Sequence, residues 1–176
     1  MAHRTDIKLK ENIKNHREET FEEIYEEYRH LVMYFTTTKT GLKTDAEDLA
    51  QEIFMKVYSN IDDYNPYLSS FKTWLVTITM NHITDFLRQR KDFIIYDNDI
   101  VNEACDEPFF SPKFEYAVRT LETVDRDILV LKVVYNFTHK EIAASLKISI
   151  DVSKKKLKAA KNIAKGEWLD YEKKFQ

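Results

Sequence analysis

The sequence predicts an all-α fold, arranged as two small helical domains joined by an acidic linker. Three observations predict it. The 176 residues include two Gly and three Pro, well under the roughly 7% and 5% of average chains. That leaves little material for hairpin turns or a Gly-rich phosphate loop. Apolar residues recur at helical spacing, and 43% hydrophobic with 32% charged residues supply both a core and a solvated surface. Charge is also segregated. The chain nets −3, yet residues 92–111 carry six acids (Asp92, Asp97, Asp99, Glu103, Asp106 and Glu107) and no Lys or Arg. Residues 138–166 carry eight Lys against Glu141 and Asp151. The acidic stretch contains Pro108, lacks a sustained helical period and reads as the linker. The division is then 1–18 (a polar N-terminal extension), 19–91 (first domain), 92–111 (linker) and 112–170 (second domain).

The elements follow in order. Residues 18–35 place Phe21, Ile24, Tyr25, Tyr28, Leu31, Val32 and Phe35 on one face of an amphipathic helix. Thr44 and Glu47 have the spacing of a capping box, which starts a helix running to about residue 59. Its inner side carries Leu49, Ala50, Ile53, Phe54 and Val57. Residues 61–70 contain Pro66 and read as a loop, and Ser69 or Ser70 can cap the helix that follows. That helix, 71 to about 91, buries Phe71, Trp74, Leu75, Ile78 and Phe86, while Asn81, Asp85 and Arg88 share a polar face. In the second domain, helices are expected over 114–122 and 125–135. Thr138 and Glu141 form a second capping box, opening a short helix to Leu146. A break at 147–149 precedes a last helix, 150 to about 165, with Gly166 as its stop.

Helix, short turn, helix is the plan of a DNA reader whose second helix enters the major groove. At about 100° per residue, Lys154, Lys158, Lys161 and Lys165 fall in one stripe, with Lys155 beside it. Ser153, Leu157, Ala160 and Ala164 face inward on the same wheel. A Lys stripe alone also fits an ordinary solvated helix face. After a capped helix and a short turn, it points to phosphate contact and counterion release.

These residues resemble the bacterial RNA polymerase sigma factors of the extracytoplasmic-function (ECF) branch. The matching pieces are Asp45-Ala46-Glu47-Asp48-Leu49-Ala50-Gln51-Glu52-Ile53-Phe54, then Phe71-x-x-Trp74-Leu75-x-x-Ile78-x-x-Asn81-x-x-x-Asp85-x-x-Arg88, then Glu141-Ile142-Ala143 before the Lys-rich helix. The resemblance spans about residues 19–165. It implies a region two bundle and a region four helix-turn-helix, binding to core RNA polymerase at the largest-subunit clamp helices and the flap, and recognition and melting of promoter DNA. By the resemblance, the polymerase-binding residues are Asp45, Glu47, Asp48, Gln51, Glu52 and Phe54. Carboxylates around apolar Leu49 and Phe54 would make an interface with a polar rim.

The resemblance also implies that a minus-ten base leaves the stack and enters a pocket on the loop 65–70. The minus-ten set is then Asn65, Ser69, Lys72, Asn81, Arg88, Arg90 and Lys91. Asn81 matches the base-reading position, and the cations hold phosphates. Trp74 sits on the apolar face and reads as core. Asp85 reads as a structural partner of Arg88. The minus-thirty-five or upstream set is Ser153, Lys154, Lys155, Lys158, Lys161 and Lys165. Here the chain departs from the family. Lys147 stands where many relatives have Gly, and at positive φ it costs roughly 1 kcal/mol. Asp151-Val152-Ser153-Lys154 replaces the usual Gly-Thr-Val-Lys, and Ala159 replaces a common Arg. Residues 127–176 contain no Arg, the best bidentate reader of guanine. A partner protein that supplies targeting is therefore part of the expectation, and the resemblance adds an anti-sigma factor as a further partner.

Other classes find little support. A single cysteine, Cys105, excludes an internal disulfide framework. The five His show no metal spacing, and the expectation is no metal, no cofactor and no enzymatic activity. No apolar run approaches the ~20 residues of a membrane span, so the expected location is the cytoplasm. The rival reading is a stand-alone helix-turn-helix regulator. It accounts for 138–165 and leaves the motifs at 45–54 and 74–88 without a purpose.

Overall fold

The computed structural model describes residues 4–41, 43–91 and 109–175, and these form helices and connecting turns with no strand among them. The chain divides into two compact units, residues 1–105 and 106–176. Most of the acidic stretch, including Cys105, lies outside the described residues.

The first unit holds α1 (Arg4–Asn15), α2 (Arg17–Thr40), α3 (Lys43–Asn60), a 3-10 turn (Ile61–Asp63) and α4 (Phe71–Lys91). Its core is Ile24, Leu31, Val32 and Phe35 of α2, Leu49, Ile53 and Val57 of α3, and Phe71, Leu75, Val76 and Ile83 of α4. α2 runs five residues past the expected Phe35 and ends where Gly41 takes φ 75°, its N–H returning to Thr37 O. A left-handed residue without Cβ closes the helix at no steric cost. α3 begins at Lys43, so Thr44 lies inside the first turn and is not the residue before it. Threonines within helices are satisfied by the preceding turn: Thr40, Thr77 and Thr79 donate to carbonyls four residues back at 2.9, 2.7 and 3.0 Å.

The expected polar extension is instead α1. Its one fully buried side chain is Ile13, and polar contacts made far along the chain hold the rest. Lys10 Nζ donates to Asp62 O at 2.5 Å. Asp6 Oδ1 accepts from the backbone N–H of Phe71 at 2.9 Å. A free N–H at the start of α4 is thus capped by a carboxylate distant in sequence, where charge also suits the helix dipole.

The second unit holds α5 (Pro112–Val118), α6 (Thr123–Val133), α7 (His139–Leu146) and α8 (Ile150–Phe175). Ser111 caps α5, with Pro112 at its first position. Val118, Leu121, Ile128, Leu131, Phe137, Ile142, Leu157 and Ala160 form the core. α8 does not stop at Gly166. It continues to Phe175 because its last turns lie along α5. Tyr116 Oη donates to Asp170 at 2.7 Å, Arg119 pairs with Glu167 at 2.9 Å, Lys113 pairs with Glu172, and the Tyr116 ring meets Tyr171 and Phe175.

Candidate functional site

The motif at 45–54 separates cleanly on α3. Ala46, Leu49, Ala50, Ile53 and Phe54 are buried, while Glu47, Asp48, Gln51 and Glu52 are exposed and Asp45 is half-buried. Phe54, expected as a contact residue, is 5% exposed. Its ring lies edge-on to Tyr25 at 4.8 Å and Phe21 at 6.5 Å. The expectation of an interface around Leu49 and Phe54 is therefore corrected, since both side chains are used up inside the bundle. The apolar side chain that α3 does present is Met55, 71% exposed, one residue beyond the motif. Glu52 Oε2 lies 2.9 Å from His82 Nε2 of α4, which ties this face to the helix that follows the loop.

The loop 65–70 is anchored from below. Asn65 Oδ1 accepts from Tyr67 N at 2.9 Å, a local Asx turn. Tyr64 is buried, its hydroxyl donates to Ser69 O at 3.3 Å, and its ring packs with Phe71 at 5.2 Å and Trp74 at 5.5 Å. Burial pushes the Tyr64 and Tyr28 phenols well above their ordinary range, so both remain donors. Trp74, Ile78 and Phe86, expected in the core, are half-buried. An open cavity of about 430 Å³ runs between α1 and the loop, lined by Ile7, Lys10, Asp63, Asn65 and Tyr67.

Tyr67 and Leu68 at the loop tip are exposed, and no motif in the sequence marks them. Asn65 and Asn81 are exposed, and Ser69 and Lys72 are half-buried. Arg88 is exposed with its guanidinium 2.9 Å from Asp85, the pairing expected on that face. The side chains of Arg90 and Lys91 lie outside the described residues.

In the second unit the capping box closes as expected. Thr138 N donates to Glu141 Oε2 at 2.7 Å, and Glu141 N donates to Thr138 Oγ1 at 3.2 Å. Lys147 takes φ 55°, ψ 42°, so Lys occupies a turn position that favours Gly. Ser149 Oγ accepts from Val152 N at 3.1 Å and starts α8. Lys154, Lys155, Lys158, Lys161 and Lys165 are all exposed. Ser153 is not: it is fully buried, its Oγ 2.9 Å from His139 Nδ1. Its place in the DNA-contacting set is corrected, and its role is to pin α8 to α7. Burial, then Lys132, Lys154 and Lys161, lower the pKa of His139. Lys156, on the side of α8 away from the stripe, pairs with Asp125 at 2.6 Å.

Residues 24–93 match the family described as Sigma-70 region 2, and residues 113–162 match Sigma-70, region 4. The ECF RNA polymerase sigma factor SigM of Bacillus subtilis (strain 168) is 29% identical over 138 residues, covering 74% of this chain and 83% of that protein. The ECF RNA polymerase sigma factor RpoE of Cereibacter sphaeroides is 26% identical over 168 residues, covering 89% and 92%. Among solved structures, the sigma factor RpoE in complex with the anti-sigma factor NepR from Bartonella quintana has the same fold, with a TM-score of 0.62 at 22% identity over 85% of this chain and 96% of that one. A helical unit carrying region 2, followed by a helix-turn-helix unit carrying region 4, defines the sigma-70 class. The chain belongs to the sigma-70 family of RNA polymerase sigma factors, within its ECF branch.

Proposed function

We propose that this chain binds core RNA polymerase, carries it to promoter DNA and opens the duplex at the minus-ten element, performing no covalent chemistry itself. The observation that carries the reading is the separation along α3. Every apolar residue of the motif at 45–54 is buried, and Glu47, Asp48, Gln51 and Glu52 turn outward beside Met55. An apolar side chain ringed by carboxylates and an amide suits a protein interface with a polar rim. Asp45, Glu47, Asp48, Gln51 and Glu52 then meet the clamp helices of the largest polymerase subunit.

Residues 19–91 act as the region two-like domain, buttressed by α1, and 112–170 as the region four-like domain, with 92–111 between them. The loop 65–70 receives a base flipped from the minus-ten element, with Asn65 and Ser69 in that loop and Asn81 on α4 reading base edges. Lys72, Arg88, Arg90 and Lys91 hold the strand. Lys154, Lys155, Lys158, Lys161 and Lys165 hold upstream phosphates. A masking partner belongs to the same reading, because RpoE of Bartonella quintana is in complex with an anti-sigma factor.

The test is co-elution with bacterial core RNA polymerase, comparing wild type with Asp48→Lys and Met55→Ala. Asp48→Lys should abolish co-elution and Met55→Ala should weaken it, with melting unchanged in both. A well-folded wild-type chain that fails to bind core competent for a control sigma factor would overturn the reading.

A further inference from the structure

Lysine ammonium groups seated on phosphates carry no sequence information, and residues 127–176 contain no Arg, the best bidentate reader of guanine. Sequence recognition by α8 then draws on its other exposed side chains, and the structure limits which those are. The rotation of α8 about its axis is fixed at three points. Ser153 is held by His139, Leu157 and Ala160 are buried, and Lys156 is held by Asp125. With that rotation fixed, the lysine face continues back to the first turn. By ideal-helix arithmetic Ile150 lies about 40° to one side of Lys154 and Asp151 about 60° to the other, so both share the stripe. Ile150 is 42% exposed. The Asp151 side chain is 96% exposed, its carboxylate 4.0 Å from Lys154 Nζ.

An isobutyl-sized apolar group and a carboxylate at the head of a phosphate-binding stripe are unlike phosphate ligands. A carboxylate there repels the backbone of DNA. Both match base edges. In the major groove the only apolar feature is the C5-methyl of thymine, and the amino group that a carboxylate reads is N4 of cytosine. In a helix-turn-helix the first turn of the second helix is the part that reaches the base edges.

We infer that Ile150 and Asp151 are the base-reading pair of α8, Ile150 contacting a thymine methyl and Asp151 accepting from cytosine N4, with the lysines anchoring on phosphates. Asp151 also discriminates against guanine, whose O6 and N7 present only acceptors to it. The inference rests on the reading that the second unit binds duplex DNA upstream of the minus-ten element.

The test uses the full chain reconstituted with core polymerase. A duplex pool randomised in its upstream segment is selected with wild type, Ile150→Ala and Asp151→Asn. Wild type should enrich a thymine next to a cytosine. Asp151→Asn should move the cytosine preference to adenine, which an amide reads in a bidentate way. In the best duplex, replacing that thymine by deoxyuridine deletes one methyl and should weaken wild-type binding about fourfold, while leaving Ile150→Ala binding unchanged. Both substitutions are at exposed positions, and matched thermal melts check that the fold is retained.

Deoxyuridine replacement without effect in wild type, or with equal effect in Ile150→Ala, would overturn the inference. So would an enriched guanine or no upstream preference at all in a holoenzyme that still opens promoters, and that last outcome leaves the polymerase reading intact. A wild-type chain that binds neither core nor DNA sinks that reading and this inference together.

Discussion

Phe54 shows how one residue's environment redirects its role. The spacing 49, 50, 53, 54, 57 already placed it on the inner side of α3, and the family motif assigned it to the partner surface. The structure favours the first assignment, because Phe21 and Tyr25 of α2 cover the ring. Phe54→Ala should therefore cost about 3–5 kcal/mol of stability, read as a lowered urea midpoint. Met55→Ala should stay within about 0.5 kcal/mol of wild type.

His139 makes a pH prediction. Burial and nearby lysines lower its pKa in the folded chain, whereas the unfolded chain binds a proton near pH 6.5. Below about pH 6.5 the unfolded state takes up a proton that the folded state resists, so stability falls as pH falls. Urea midpoints at about pH 7.5 and about pH 5.5 should differ more for wild type than for His139→Asn. An equal drop in both would show that other groups carry it.

At the scale of elements, helices with a long apolar stripe were legible, and the largest departures are α1 and the last turns of α8. α1 buries Ile13 and is otherwise held by Asp6 and Lys10 reaching the far end of the domain. No local pattern announces such contacts. α8 was expected to stop at Gly166, yet a helical Gly costs only about 1 kcal/mol relative to Ala, and the turns beyond it pack on α5. A chain ending at residue 166 should lose the Glu167, Asp170, Tyr171, Glu172 and Phe175 contacts with α5, and its second unit should melt at lower temperature. An unchanged melt would mean the extension adds nothing. The turn between α7 and α8 was legible in more detail, because the capping box and the break both follow from residue types. Lys147 at φ 55° implies that Lys147→Gly raises stability by about 1 kcal/mol, measured by denaturant titration. A fall would show that its side-chain interactions outweigh the backbone strain.

At the scale of the molecule, the charge arithmetic separated a near-neutral helical domain, an acidic stretch and a basic reader, and the described residues fall into two units. What the sequence left open was which polar residues are used inside the fold. The helical wheel already turned Ser153 inward, while the resemblance put it in the DNA-contacting set; that His139 holds it, and that Asp125 holds Lys156, only the three-dimensional arrangement reveals. The central claim is that this chain meets DNA as a subunit of polymerase and not alone. The most direct measurement is retention of genomic DNA fragments on the immobilised chain, with and without bacterial core RNA polymerase. Sequence-selective retention that appears only when core is added is the predicted result. The same fragments held equally by the chain alone would contradict it and favour a free helix-turn-helix regulator.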